Sequence, residues 1–197
     1  MKILFVRHGE SESNAGGKTE FPHSINLTQK GIEQSHKLLE RITIRPDLIV
    51  VTLHIRTVQT AAPLVEKYPD VPVGTWPLHE FTFLSPLLCR DTTTAERAPW
   101  VNGYWERCDA DYVHGEGAES FNQFIGRVQL NMDKLLLLSN ENIVVFTHGY
   151  VIRAVMMLTD GNTKDKSMRH YRDALLKHEV ANTSVHEIVF PKQFINT

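Results

Sequence analysis

The sequence predicts an α/β fold built on a mainly parallel sheet, and three observations carry that reading. Short apolar runs of strand length alternate with segments of helical periodicity. The runs are apolar from end to end, as expected of strands covered on both faces. No internal repeat or low-complexity tract interrupts the order.

Lys2–Val6 opens the chain as a buried strand, and Gly9–Asn26, rich in Gly, Ser, Asn and Glu, reads as a long loop. Thr28 suits an N-cap, with Leu27 and Ile32 spaced as a hydrophobic staple across it. The helix runs to about Arg41 with Leu38, Leu39 and Ile42 toward a core, and Pro46 blocks its continuation. Leu48–Val51 is a second buried strand. From Arg56, the residues Val58, Ala61, Ala62 and Val65 recur at helical spacing, and a short strand fits Val71–Thr75. Glu119–Leu138 carries the clearest helical stripe: Phe121, Phe124, Ile125, Val128, Met132, Leu135 and Leu136. Asn142–Phe146 is a further buried strand. A helix follows from about Tyr150 to Leu158, and Asp160, Gly161 and Asn162 end it with turn residues. Ser184–Phe190 is strand-like in composition without clean alternation. Residues 81–118 do not fit the alternation and carry two prolines, two tryptophans and both cysteines. They read as an inserted lid that folds over a site, within one domain spanning 1–197.

Composition narrows the function classes. The 197 residues fit one large domain, and 42% apolar residues are enough for one sizeable core. A formal charge of -2 and a pI of about 6.5 give no global basic surface for nucleic acid or an acidic membrane, so any attraction for anions is local. Cys89 and Cys108 form no CxxC pattern and lack the further ligands of a structural zinc site. They read as free thiols in a reducing cytoplasm. The apolar run Ile3–Val6 is shorter than the roughly 7–15 residues of a signal peptide, and no segment approaches the roughly 20 of a membrane span. A cytoplasmic location is the expectation.

In open α/β sheets, ligands bind outside the carboxyl ends of the strands. Three predicted strands end in unusual polar residues: Arg7-His8-Gly9-Glu10, Thr52 to Arg56, and Thr147-His148-Gly149. If the sheet forms as read, two arginines and two histidines converge at one rim. A phosphate ester carries up to two negative charges that must be neutralised for transfer, and guanidinium forks match its oxygens. One histidine can attack phosphorus and hold the phosphoryl group, and a second can donate to the same oxygens. Gly9 and Gly149 allow close backbone approach to a phosphate.

Arg7-His8-Gly9-Glu10-Ser11 resembles the signature of the histidine phosphatase superfamily, the phosphoglycerate mutase-like fold, and the resemblance spans nearly the whole chain. Leu27-Thr28-Gln29-Lys30-Gly31, Arg56-Thr57-Val58-Gln59-Thr60-Ala61, Glu119-Ser120 with Phe124 and Arg127, Thr147-His148-Gly149 with Val151-Ile152-Arg153-Ala154, and Asn182-Thr183-Ser184 are similar to its later segments in order. The resemblance implies a three-layer sandwich. It makes His8 the nucleophile and places Arg7, Arg56 and His148 in the phosphate pocket, with Asn14 beside it. It implies that Glu80, in Leu78-His79-Glu80, is the proton donor, kept protonated by burial and a nearby dianion. His79 is its neighbour, and Glu116 is an alternative acid. A small phosphate ester is the implied partner. No cofactor and no metal are expected, since arginines supply the positive charge, and a homodimer is compatible with the sequence.

The chain departs from the family's pattern in three places. Thr52-Leu53-His54-Ile55 replaces the usual Ser-Pro-Leu before the second arginine, so His54 lines the pocket or replaces a turn residue. Tyr150 stands where a second glycine is common, and Phe81-Thr82-Phe83-Leu84 replaces a glycine-rich stretch. Arg90, Arg97 and Arg107 are open to contact with a substrate carboxylate or second phosphate, or to solvent. Trp100, Tyr104 and Trp105 either stack on a sugar or base or form the lid's own small core. Three functions stay in play: a phosphomonoesterase of a small metabolite, favoured by the short length; a phosphoglycerate mutase or other phosphotransferase; and a non-catalytic phosphate-binding regulatory protein.

Overall fold

A computed structural model of the protein describes residues 1–161, 165–177 and 179–190. Along the chain run β1 (Lys2–Arg7), α1 (Gln29–Arg41), β2 (Leu48–Val51), α2 (Ile55–Lys67), β3 (Val73–Thr75), α3 (Pro86–Cys89) and α4 (Thr94–Arg107). Then come α5 (Phe121–Leu136), β4 (Asn142–Thr147), α6 (Gly149–Thr159), α7 (Met168–Lys177) and β5 (Val185–Val189). The strands form one sheet in the order β3-β2-β4-β1-β5. The first four are parallel, and β5 closes the edge antiparallel to β1.

Apolar strands covered on both faces divide their side chains between two cores. Ile3, Phe5, Val50, Ile143 and Val145 face one core. Leu4, Val6, Ile49, Val51, Val144 and Phe146 face the other. The second core takes Leu38 of α1 with Ala61 and Leu64 of α2. The first takes Phe121, Phe124, Val128 and Leu135 of α5 and Val151, Ile152 and Val155 of α6. This is the expected three-layer arrangement. Thr28 caps α1 by accepting from Gly31 N at 3.1 Å. Ser120 and Gln123 form a reciprocal capping box that starts α5.

Two expectations are corrected. Tyr104 and Trp105 do not make a separate small core. They are buried in the main core with Ile3 and Phe5, and their rings meet Phe81 and Phe83. Large aromatics bury too much apolar surface to leave under a thin flap. Trp100 remains 38% exposed. On α2 the buried face is Arg56, Thr57, Thr60, Ala61 and Leu64, whereas Val58 is 47% exposed. The apolar stripe is therefore not the face turned inward at this helix's first turns. The turn reading at Asn162 lies outside the described residues, as do positions 162–164, 178 and 191–197 of the 1–197 span.

Candidate active site

The sheet register assembles the site. Arg7 and Thr147 lie side by side at the carboxyl ends of β1 and β4, and His8 N donates to Thr147 O at 3.0 Å. The residues that follow, His8 and His148, are thereby brought together with ring centroids 5.2 Å apart. The end of β2 delivers Thr52 and His54, and the first turn of α2 delivers Arg56. They enclose the base of a cavity of about 340 Å³ lined by Arg7, His8, Asn14, His54, Arg56 and Glu80. Phe81, Phe83, Leu84, Pro86, Val101 and Tyr150 line it as well, so residues 81–101 contribute much of its wall.

Arg56 organises the base. It is 6% exposed, and its Nε donates to His8 Nε2 at 3.2 Å, its Nη2 to His148 Nδ1 at 3.2 Å and its Nη1 to Pro22 O at 2.6 Å. A guanidinium only donates, so both accepting ring nitrogens carry lone pairs. His8 then holds its proton on Nδ1, which donates to Gly9 O at 2.7 Å. His148 holds its own on Nε2, which donates to Thr52 Oγ1 at 3.1 Å. Burial, then the Arg56 charge, holds both imidazoles well below their ordinary pKa. Arg56 itself is pushed down to about 10 by burial and stays charged at neutral pH.

Glu80 keeps some area open to the cavity, but protein surrounds its carboxyl. Oε1 accepts from Phe81 N and from Tyr150 N, each at 3.1 Å. Burial raises its pKa, and Arg56 opposes the rise. Asn14 Oδ1 accepts from Ser11 N and from Asn182 Nδ2, both at 3.2 Å, and Asn182 also donates to His8 O. Arg7 Nη1 donates to Val180 O, and Arg7 Nε is enclosed without a partner. Gly9 is needed for a different approach from the expected one: a Cβ there would meet Gly31 O at 2.6 Å, so the loop packs against α1. His148 is fully buried, and neither it nor Gly149 lines the cavity.

The sequence expectations gave Thr52 and Thr60 no individual role and did not foresee that the Tyr150 backbone holds Glu80. Thr60 Oγ1 accepts from Gly9 N at 3.0 Å, and the Tyr150 amide clamps Glu80. Of the arginines in residues 81–118, Arg97 lines the cavity but bonds to Thr19, Thr92 and Thr94. Arg90 pairs with Glu20, and Arg107 lies over Tyr112. His79 and Glu116 are not on the cavity wall, and Glu116 is exposed. Cys89 and Cys108 are free thiols. Among the described residues no helix is long and apolar enough to cross a membrane.

The histidine phosphatase superfamily (branch 1) model matches residues 3–194. The chain belongs to this superfamily. Among curated members it is 29% identical over 175 residues to a 2,3-bisphosphoglycerate-dependent phosphoglycerate mutase of Methylobacterium sp. (strain 4-46), covering 83% of this chain and 82% of the relative. It is 27% identical over 196 residues to a metal-independent phosphoserine phosphatase of Arabidopsis thaliana, covering 87% and 77%. The alpha-ribazole phosphatase structure from Shigella flexneri shares the fold, with a TM-score of 0.74, 21% identity and coverage of 98% and 92%.

A histidine phosphatase with its imidazoles buried this way has an acid-sensitive fold. Unfolded, His8, His54 and His148 titrate near 6.5; folded, all three lie lower, His54 at about 3 through burial and the Arg56 charge. Between those values the unfolded chain binds protons that the folded chain refuses, so stability present above pH 6.5 is lost on acidification. His54 alone contributes a loss on the order of 2 kcal/mol between pH 7 and pH 5. The raised Glu80 carboxyl works in the opposite direction as pH falls through its folded pKa. Thermal unfolding followed by circular dichroism should give a Tm several degrees lower at pH 5 than at pH 7. An equal or higher Tm at pH 5 would contradict this balance.

Proposed function

We propose that this chain is a phosphomonoesterase of a small phosphorylated metabolite, working through a covalent phosphohistidine on His8. One observation carries the reading: His8 lines the cavity with its proton fixed on Nδ1 by Gly9 O and its Nε2 lone pair free for chemistry once Arg56 Nε turns to a phosphate. An unprotonated ring nitrogen in the correct tautomer is what in-line attack on phosphorus requires.

In the first step the Nε2 lone pair forms the N–P bond as the P–O bond to the leaving group breaks. The leaving oxygen takes the proton of Glu80. Arg56 and Arg7 neutralise the phosphoryl oxygens, with Asn14 beside them and His148 holding Arg56 from behind. In the second step water attacks phosphorus, the P–N bond breaks and returns its electron pair to Nε2. The Glu80 carboxylate takes the proton from water, and phosphate leaves. In this reading residues 81–118 are the lid of a single domain, and the relatives' small phosphate esters are the model for the substrate class.

The test is turnover of p-nitrophenyl phosphate in excess EDTA, with trapping of the enzyme by alkaline quench, which preserves phosphohistidine. Undiminished rates and an alkali-stable phosphoryl label on His8 are expected. Dependence on an added divalent metal, or turnover with no label under single-turnover conditions, would overturn the mechanism. Because one relative is a mutase, interconversion of 2- and 3-phosphoglycerate is assayed beside it; transfer exceeding hydrolysis would assign the chain to the transferases.

A further inference from the structure

Among the described residues the imidazole of His54 makes no hydrogen bond, and the rings it meets are those of His148 and His79. It stands at the N-cap of α2, yet its side chain makes no capping hydrogen bond. It is 7% exposed, and its Nδ1 is enclosed without a hydrogen-bond partner. Nε2 makes no hydrogen bond either and, unlike Nδ1, is not fully enclosed, and His54 lines the cavity. Its ring lies edge-on to His148 with centroids 4.8 Å apart, two residues along the chain from Arg56. His148, by contrast, has both ring nitrogens occupied by Arg56 and Thr52 and does not reach the cavity.

We infer that His54 is a catalytic residue of this site, a third histidine that donates a hydrogen bond from its ring to an oxygen of the transferring phosphoryl group. The inference rests on the phosphoryl-transfer reading above. Burial and the Arg56 charge keep the ring neutral, so it offers one N–H and adds no positive charge to the two arginines. The buried, unsatisfied Nδ1 destabilises the fold, and the ring gains a hydrogen bond at Nε2 only when a phosphoryl oxygen is bound. Differential binding of this kind belongs to function and not to folding.

His54→Leu and His54→Gln distinguish the possibilities. Leucine removes the N–H and leaves an apolar side chain of similar reach; glutamine retains a donor near the position of Nε2. Each is measured for kcat/KM on p-nitrophenyl phosphate, for Kd of orthovanadate by calorimetric titration, and for Tm. His54→Leu is expected to lower kcat/KM and weaken orthovanadate binding by about 10- to 100-fold. It should also raise Tm by about 2–8 °C. His54→Gln should recover part of both losses. Wild-type kcat/KM and Kd in His54→Leu would overturn the inference. So would a drop in Tm accompanied by losses that His54→Gln does not restore, because that pattern belongs to a packing role. If wild type shows no turnover that depends on His8, the phosphomonoesterase reading fails, and the orthovanadate titration still decides whether His54 holds the anion.

Discussion

Replacing His8 with alanine should reduce turnover of any phosphomonoester by about 10⁴-fold or more while the protein still folds. The size follows from the role: losing the nucleophile removes the covalent route, and what remains is binding and charge neutralisation by the arginines. Folding should persist because among the described residues the ring has two polar partners, Gly9 O and Arg56 Nε, and Arg56 lines a cavity that water can enter. The backbone bond from His8 N to Thr147 O, which ties β1 to β4, is untouched. Steady-state kinetics on p-nitrophenyl phosphate, with circular dichroism on the same preparation, checks both halves. Activity within about tenfold of wild type in a folded His8→Ala protein would sink the phosphohistidine mechanism.

How much of this was legible in the sequence depended on where the physical signal was local. Parallel strands buried on both faces are apolar runs, so β1, β2 and β4 were readable, and the polar residues after each marked the rim. The order β2-β4-β1 is a long-range outcome that no local run encodes, yet it is what sets His8 against His148. On α2, periodicity pointed to Val58 while the chain buries Arg56, Thr57 and Thr60. These hydroxyls satisfy themselves within the structure, Thr57 on His54 O and Thr60 on Arg56 O, so burying them is inexpensive. Helix α4 was missed because Pro99 and Gly103 interrupt its pattern, although Thr93 and Glu96 spell a capping box. Helix α7 was missed for want of a strong apolar stripe: of its residues only Met168 and Tyr171 are buried. The clamp on Glu80 was invisible because a backbone amide, that of Tyr150, supplies it.

Glu80→Gln separates the donor from the rest of the machinery. Glutamine keeps an oxygen for the amides of Phe81 and Tyr150 but has no proton to give. With an alkyl phosphate, whose leaving oxygen must be protonated as it departs, kcat/KM should fall about 10²- to 10⁴-fold. With p-nitrophenyl phosphate, whose leaving group departs as a stable anion, the fall should stay under about tenfold. Equal losses on both substrates would remove Glu80 from the donor role. Glu116→Gln should change neither, since Glu116 is exposed and off the cavity wall. The pH profile adds a second check. Burial raises the Glu80 pKa while Arg56 and Arg7 oppose it, so the alkaline limb in wild type lies above the ordinary carboxylate range and vanishes in Glu80→Gln. A bound phosphoryl dianion takes up the two guanidinium charges that hold the carboxyl down. Substrate binding therefore strengthens the hold of Glu80 on its proton, and the ester itself readies the acid that its leaving group needs.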